Sequence, residues 1–140
     1  MEKLHLISAD TLFYQPLDHP KMLIDGILSN GLAILSGDSK IGKSWMVLWL
    51  CLKISRGEPV WGLPTAKTDV IYLALEDNDW RIQQRMQDLV DIPPDNLQFG
   101  FSCGKLGAEL EGQIKGVLED NPNTGLLFID TLQMVRDNVS

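Results

Sequence analysis

A chain of 140 residues with a formal net charge of -7 is one domain at most. Its 44% hydrophobic and 22% charged residues suffice for a core, while an acidic balance without clustered Lys and Arg argues against a nucleic-acid surface built from this chain alone. No apolar run has the length of a membrane span, and an N-terminus carrying Glu2 and His5 lacks the apolar stretch of a signal peptide, so the expectation is a cytoplasmic protein with no membrane partner.

Residues 1–30 read as an N-terminal lead-in and 31–140 as the folded domain. Ser8-Ala9-Asp10 offers a cap for a short helix at 11–14, and Pro16 and Pro20 prevent a longer one. Met22, Leu23, Ile24, Ile27 and Leu28 are expected to pack on the domain. Leu32-Ala33-Ile34-Leu35 reads as a short buried strand. After a glycine-rich loop, an almost wholly apolar helix spans 43–55, with Gly57 as its C-cap and Pro59 beyond. In the following loop Trp61 either plugs the chain or stacks on a base. Residues 70–75 form a second strand, apolar enough to be covered on both faces. Asp77 or Asn78 then caps a helix over 79–90. A weaker strand at 97–101, a helix at 106–119 and the turn Asn121-Pro122-Asn123-Thr124-Gly125 follow. The strand at 126–129 ends in Asp130. This alternation predicts a parallel α/β sheet with right-handed crossovers. His5 and His19 are isolated, and Cys51 and Cys103 lie far apart, so neither a metal site on these residues nor a disulfide is expected.

The chemistry concentrates in Gly37-Asp38-Ser39-Lys40-Ile41-Gly42-Lys43-Ser44, which fits the phosphate-loop pattern G-x-x-x-x-G-K-[ST] between a strand and a helix. Gly37 and Gly42 let backbone curl around an anion. Loop N–H groups and the helix N-terminus point at phosphate. Lys43 reaches the β- and γ-phosphates, and the Ser44 hydroxyl is a ligand for Mg²⁺.

Four apolar residues followed by an acid, Leu126-Leu127-Phe128-Ile129-Asp130, have the form of the Walker B motif. That motif brings a carboxylate to the edge where α/β sheets bind ligands. Asp130 is the expected second metal-holding residue beside Ser44. Thr131, not a second acid, comes next, so the base that orients the attacking water must come from elsewhere. Glu76, at the end of another buried strand, is the best-placed candidate. A solvated acidic turn, Glu76-Asp77-Asn78-Asp79, is the competing reading, and Asp77 fits a capping role better than a catalytic one.

A phosphate loop, a Glu ending the next strand and a lone Asp ending a later one resemble the RecA-type P-loop ATPases. Within them, the wording resembles more nearly that of the RepA-like AAA ATPases of plasmids, phages and mobile elements. The resembling stretches are Gly31-Leu32-Ala33-Ile34-Leu35 with Lys40-Ile41-Gly42-Lys43-Ser44-Trp45; Ser55-Arg56-Gly57-Glu58-Pro59-Val60-Trp61-Gly62; Val70-Ile71-Tyr72-Leu73-Ala74-Leu75-Glu76-Asp77 with Arg81 and Arg85; and the lead-in at 22–31. The resemblance implies a three-layer RecA-like α/β domain that binds ATP through residues 37–45. It also implies Mg²⁺ held by Ser44 and Asp130, and hydrolysis using Glu76 and Lys43. It further implies a homo-oligomer, often a hexameric ring, acting on single-stranded DNA as the motor of a replication helicase. In that family a further strand, a γ-phosphate sensor, DNA-contacting loops and an arginine finger come later than the ten residues that follow Asp130 here. The expectation is therefore a partial domain over 31–140, its sheet incomplete at the C-terminus. A non-catalytic nucleotide-binding regulatory module is the alternative. A small-molecule kinase ranks last, because no Arg-rich lid is visible.

Overall fold

The computed structural model describes residues 3–18, 21–31, 33–35 and 42–136. Helix α1 (Ala9–Tyr14) starts where the Ser8 hydroxyl accepts from the Thr11 N–H at 3.2 Å, the expected cap. Residues 3–18 are exposed throughout. Strands β1 (Met22–Ile24) and β2 (Leu28–Ser29) pair as a small antiparallel hairpin. Its turn uses Gly26 at φ +76°, a left-handed conformation that costs glycine little. Leu23 and Ile24 are buried as expected, but Ile27, at the turn tip, is 55% exposed. The hairpin is tied to the chain beyond the next helix by Asp25 N–H to the Pro64 carbonyl and Ala66 N–H to the Leu23 carbonyl, both 2.9 Å.

The strand expected at 32–35 does not form over its described part. Ala33, Ile34 and Leu35 belong to no strand, and Ile34 is 76% exposed. A strand needs a neighbour to take up its backbone groups, and no described strand pairs with these residues. Apolar sequence alone does not supply that partner.

Helix α2 (Lys43–Arg56) runs between two left-handed glycines, Gly42 at φ +79° and Gly57 at φ +68°. At its end, Gly57 N–H donates to the Ile54 carbonyl (3.1 Å) and Glu58 N–H to the Lys53 carbonyl (2.9 Å). These bonds close orphan carbonyls that the last helical turn leaves open. Then come β3 (Asp69–Ala74), α3 (Asp79–Leu89), β4 (Leu97–Gly100), α4 (Ala108–Asp120) and β5 (Thr124–Asp130). A 3₁₀ turn at Leu132–Met134 follows. The helices and strands lie within a few residues of their expected bounds; β5 begins at Thr124, inside the expected turn.

The three later strands make a parallel sheet in the order β4-β3-β5. The fold is thus α/β and P-loop NTPase-like, as expected. Alternation puts Val70, Tyr72 and Ala74 on one face of β3. They share a core with Leu48, Cys51, Leu52 and Ile54 of α2. In register, Tyr72 is flanked by Phe99 of β4 and Phe128 of β5. Ile71 is buried outside that core, so the central strand is covered on both faces. At the start of the sheet, the Asn96 side-chain amide donates to the Ser55 carbonyl at 2.7 Å and to the Thr68 carbonyl at 3.2 Å. The Asn96 carbonyl accepts from Val70 N–H at 2.9 Å. Among the described residues, no helix is long and apolar enough to cross a membrane.

Candidate functional site

Parallel pairing aligns the carboxyl ends of β3 and β5. Ala74 pairs with Asp130, and Leu75 N–H donates to the Asp130 carbonyl at 2.9 Å. Two acids therefore leave the sheet side by side. Asp130 ends β5 buried, at 7% exposure, while Glu76 follows β3 in the open.

The Ser44 hydroxyl, in the first turn of α2, donates to Asp130 Oδ2 at 2.8 Å. The two residues expected to share a metal are thus brought together across 86 positions of sequence. With the Ser44 proton committed to the carboxylate, the lone pairs of its oxygen remain for a cation. A hydroxyl and a carboxylate are hard oxygen donors of the kind Mg²⁺ takes while keeping several waters, so this pair fits that ion. Thr131 is the N-cap of the 3₁₀ turn, and the Asp130–Thr131 peptide bond is cis.

Asp130 Oδ2 accepts a second proton donor, the Tyr72 hydroxyl, at 2.9 Å. Burial first, and the Asp130 carboxylate second, push the Tyr72 hydroxyl well above the usual tyrosine range. Glu76 Oε1 accepts from the Thr131 hydroxyl at 3.0 Å. Tyr72 and Thr131 were not singled out from sequence as site residues. The available signal was the two-residue alternation, which sets Tyr72 two before the strand end Ala74, and Phe128 two before Asp130.

The start of α3 differs from the expectation for Asp77. Asn78 is the cap, its side-chain oxygen accepting from Arg81 N–H at 2.9 Å. Asp77 instead pairs with Arg85. The Arg85 guanidinium also lies over the Trp45 ring, 5.3 Å from its centroid. This chain of contacts runs from the residue after Ser44 to the residue after Glu76. Arg81 is 4.0 Å from Asp77 but 58% exposed, a pairing that contributes little.

Of the expected phosphate-binding residues, Gly42, Lys43, Ser44 and Trp45 are at the N-terminal end of α2, with Gly42 left-handed ahead of it. Gly37, Asp38, Ser39, Lys40 and Ile41 lie outside the described residues, as does His19. Trp61 is not a plug. Val60 and Leu63 bond each other's backbone at 3.0 and 2.8 Å, which turns Trp61 outward. It is 60% exposed and rests on Trp49, with centroids 5.6 Å apart. Both cysteines are free, Cys51 in the core as expected. Among the described residues no cluster of three or more His, Cys, Asp or Glu is placed to hold a metal.

An α/β sheet whose carboxyl edge carries Asp130 and Glu76, beside a helix that opens with Gly42, Lys43 and Ser44, defines a nucleotide-binding domain of the P-loop ATPase type. The model of the AAA domain family matches residues 2–140, and the chain belongs to that family. Neither a curated protein nor a solved structure gives a significant match.

Proposed function

We propose that this protein binds ATP with Mg²⁺ and hydrolyses it. The observation that carries the reading is the joining of Ser44 to Asp130 at 2.8 Å, beside Glu76. Ser44 and Asp130 would hold Mg²⁺, which when bound supplies positive charge to the phosphate oxygens. Lys43 and the loop at 37–42 bind the phosphates. Glu76, exposed one strand over from Asp130, orients the attacking water and receives its proton.

The finer reading is a RepA-like motor that acts as a homo-oligomeric ring, often a hexamer, on single-stranded DNA in replication of a mobile element. It rests on the stretches quoted above, with Glu76 and a lone Asp130 at adjacent strand ends. The acidic charge of this chain leaves the DNA surface to other regions or to the assembled ring.

The test is a thermal melt with and without Mg²⁺ and a slowly hydrolysed ATP analogue. Ligand at about 100 times Kd adds roughly 2.7 kcal/mol, several degrees in midpoint for a domain this size. An upward shift that Lys43→Ala abolishes supports the reading. A midpoint indifferent to nucleotide overturns it. With a shift in hand, phosphate release separates hydrolysis from nucleotide binding without catalysis.

A further inference from the structure

We infer that Tyr72 is a positioning residue for Mg²⁺, acting through Asp130; this rests on the nucleotide-site reading above. Asp130 Oδ2 is shared by two hydroxyls with different freedom. Ser44 belongs to the first turn of α2 and has work to do at the metal. Tyr72 does not. Its side chain is fully buried at the middle of the central strand. Its ring is flanked by Phe99, tilted at 5.9 Å, and Phe128, edge-on at 6.4 Å. Both aromatics come from strands hydrogen-bonded to β3, in register with Tyr72. A ring held on two sides cannot swing away, so its hydroxyl is a fixed point in the sheet.

That fixed point sets the carboxylate. A carboxylate at 7% exposure has little water to bond, so protein donors must satisfy its oxygens. Tyr72 donates one from inside the sheet, 2.9 Å away. The bond limits rotation about the Asp130 side chain and keeps Oδ2 within reach of the Ser44 proton. The orientation of the Ser44 lone pairs toward a cation is thereby set from behind, by a residue that never touches the ion. Partners that orient metal ligands in this way are typically worth 10- to 100-fold in metal affinity.

The experiment compares wild type with Tyr72→Phe, which removes one oxygen and keeps the ring. Each protein is held at a saturating concentration of the slowly hydrolysed ATP analogue and titrated with Mg²⁺, with the melting midpoint followed. Affinity for the analogue in EDTA is measured alongside. The expected result is a half-saturating Mg²⁺ concentration raised roughly 10- to 100-fold in Tyr72→Phe, with metal-free affinity for the analogue unchanged. A lowered midpoint with an unchanged half-saturating Mg²⁺ concentration means a purely structural hydroxyl and overturns the inference alone. A wild-type protein that shows no nucleotide-dependent shift at any Mg²⁺ concentration overturns the site reading itself. If Tyr72→Phe does not fold, the hydroxyl is read in place. The chain has two tyrosines, so Tyr14→Phe leaves Tyr72 to be replaced by 3-fluorotyrosine. Its ¹⁹F resonance, with analogue bound, should move when Mg²⁺ is added. A resonance that stays put overturns the inference.

Discussion

The Thr131 hydroxyl donates to Glu76 Oε1 across 3.0 Å, tying the residue after β5 to the second residue after β3. A carboxylate exposed at a sheet edge has many rotamers, and this bond selects among them. Glu76→Gln removes the proposed base and keeps the shape. It should leave binding of the ATP analogue intact and lower single-turnover hydrolysis by at least about 100-fold, the lower end of general-base contributions. Thr131→Val keeps the volume and removes the donor. It should lower kcat with little change in KM, as loss of an interaction used in the chemical step does. Full activity in Glu76→Gln would show that the base lies elsewhere.

Arg85 joins Asp77 and the Trp45 face. Asp77 is 10% exposed and Arg85 is 21% exposed, so neither is an ordinary surface charge. Arg85→Ala should cost about 2 kcal/mol in denaturant unfolding, the usual loss for a hydrogen bond to a charged group. Arg85→Lys should recover only part of it, because an ammonium neither forks onto a carboxylate nor stacks on indole as guanidinium does. A double-mutant cycle with Asp77→Asn isolates the pair, with an expected coupling of roughly 1 to 3 kcal/mol. A coupling near zero would make the pairing incidental.

Gly57 and Gly62 are both left-handed, at φ +68° and +77°, but differ in what surrounds them. A Cβ on Gly57 would meet Lys67 Cβ at 2.8 Å, whereas one on Gly62 meets nothing within 4 Å. Gly62→Ala should therefore lose only the backbone term, roughly 1 to 2 kcal/mol. Gly57→Ala should lose that and the clash as well, and fall further in a urea melt. Equal losses would mean that Lys67 moves aside freely.

Burial pushes the Cys51 thiol well above its ordinary 9.0, and burial, then Asp130, push the Tyr72 hydroxyl well above 10.0. In the unfolded chain each ionises near its ordinary value, whereas in the folded protein each keeps its proton. The folded pKa is the raised one in both cases. The stability gained is therefore whole below about pH 9 and is lost as pH rises beyond it, at up to about 1.4 kcal/mol per pH unit per group. Urea melts across this range should show a decline beginning near pH 9 that Cys51→Ala removes. A second decline should begin near pH 10 and be missing in Tyr72→Phe. A Tyr72→Phe protein that declines as steeply as wild type above pH 10 would mean the hydroxyl is not held neutral.

Periodicity and capping chemistry made most of the scaffold legible. The Ser8 cap, the C-cap at Gly57, the helices following β3 and β4, and a doubly covered β3 all follow from local rules. Motif form alone gives the expectation that Ser44 and Asp130 share a metal, and their side chains meet at 2.8 Å. What stayed hidden depends on partners distant in sequence. Residues 33–35 are as apolar as β5, but such a run becomes a strand only when a neighbour pairs with it, and no described strand pairs with these residues. Asp77 and Asn78 are both good caps by type. Arg85, eight residues on, draws Asp77 away and leaves Asn78 to cap. Tyr72 read as one more apolar strand residue because its hydroxyl acquires a role only when β5 delivers Asp130 beside it.

Asn96 has a consequence for how the protein comes apart. Its side chain and backbone together hold the last turn of α2, the lead into β3 and the first pair of the β3–β4 ladder. No one of these can separate without exposing polar groups of the other two. They should open as a single cooperative unit, with the Val70 amide among the slowest in hydrogen exchange. The exposed residues 3–18 should exchange almost at once. The fold thus divides in time as well as in space. The amino-terminal end of the sheet serves as its anchor, and the opposite end, where Asp130 and Glu76 emerge, carries the proposed site without such a clamp.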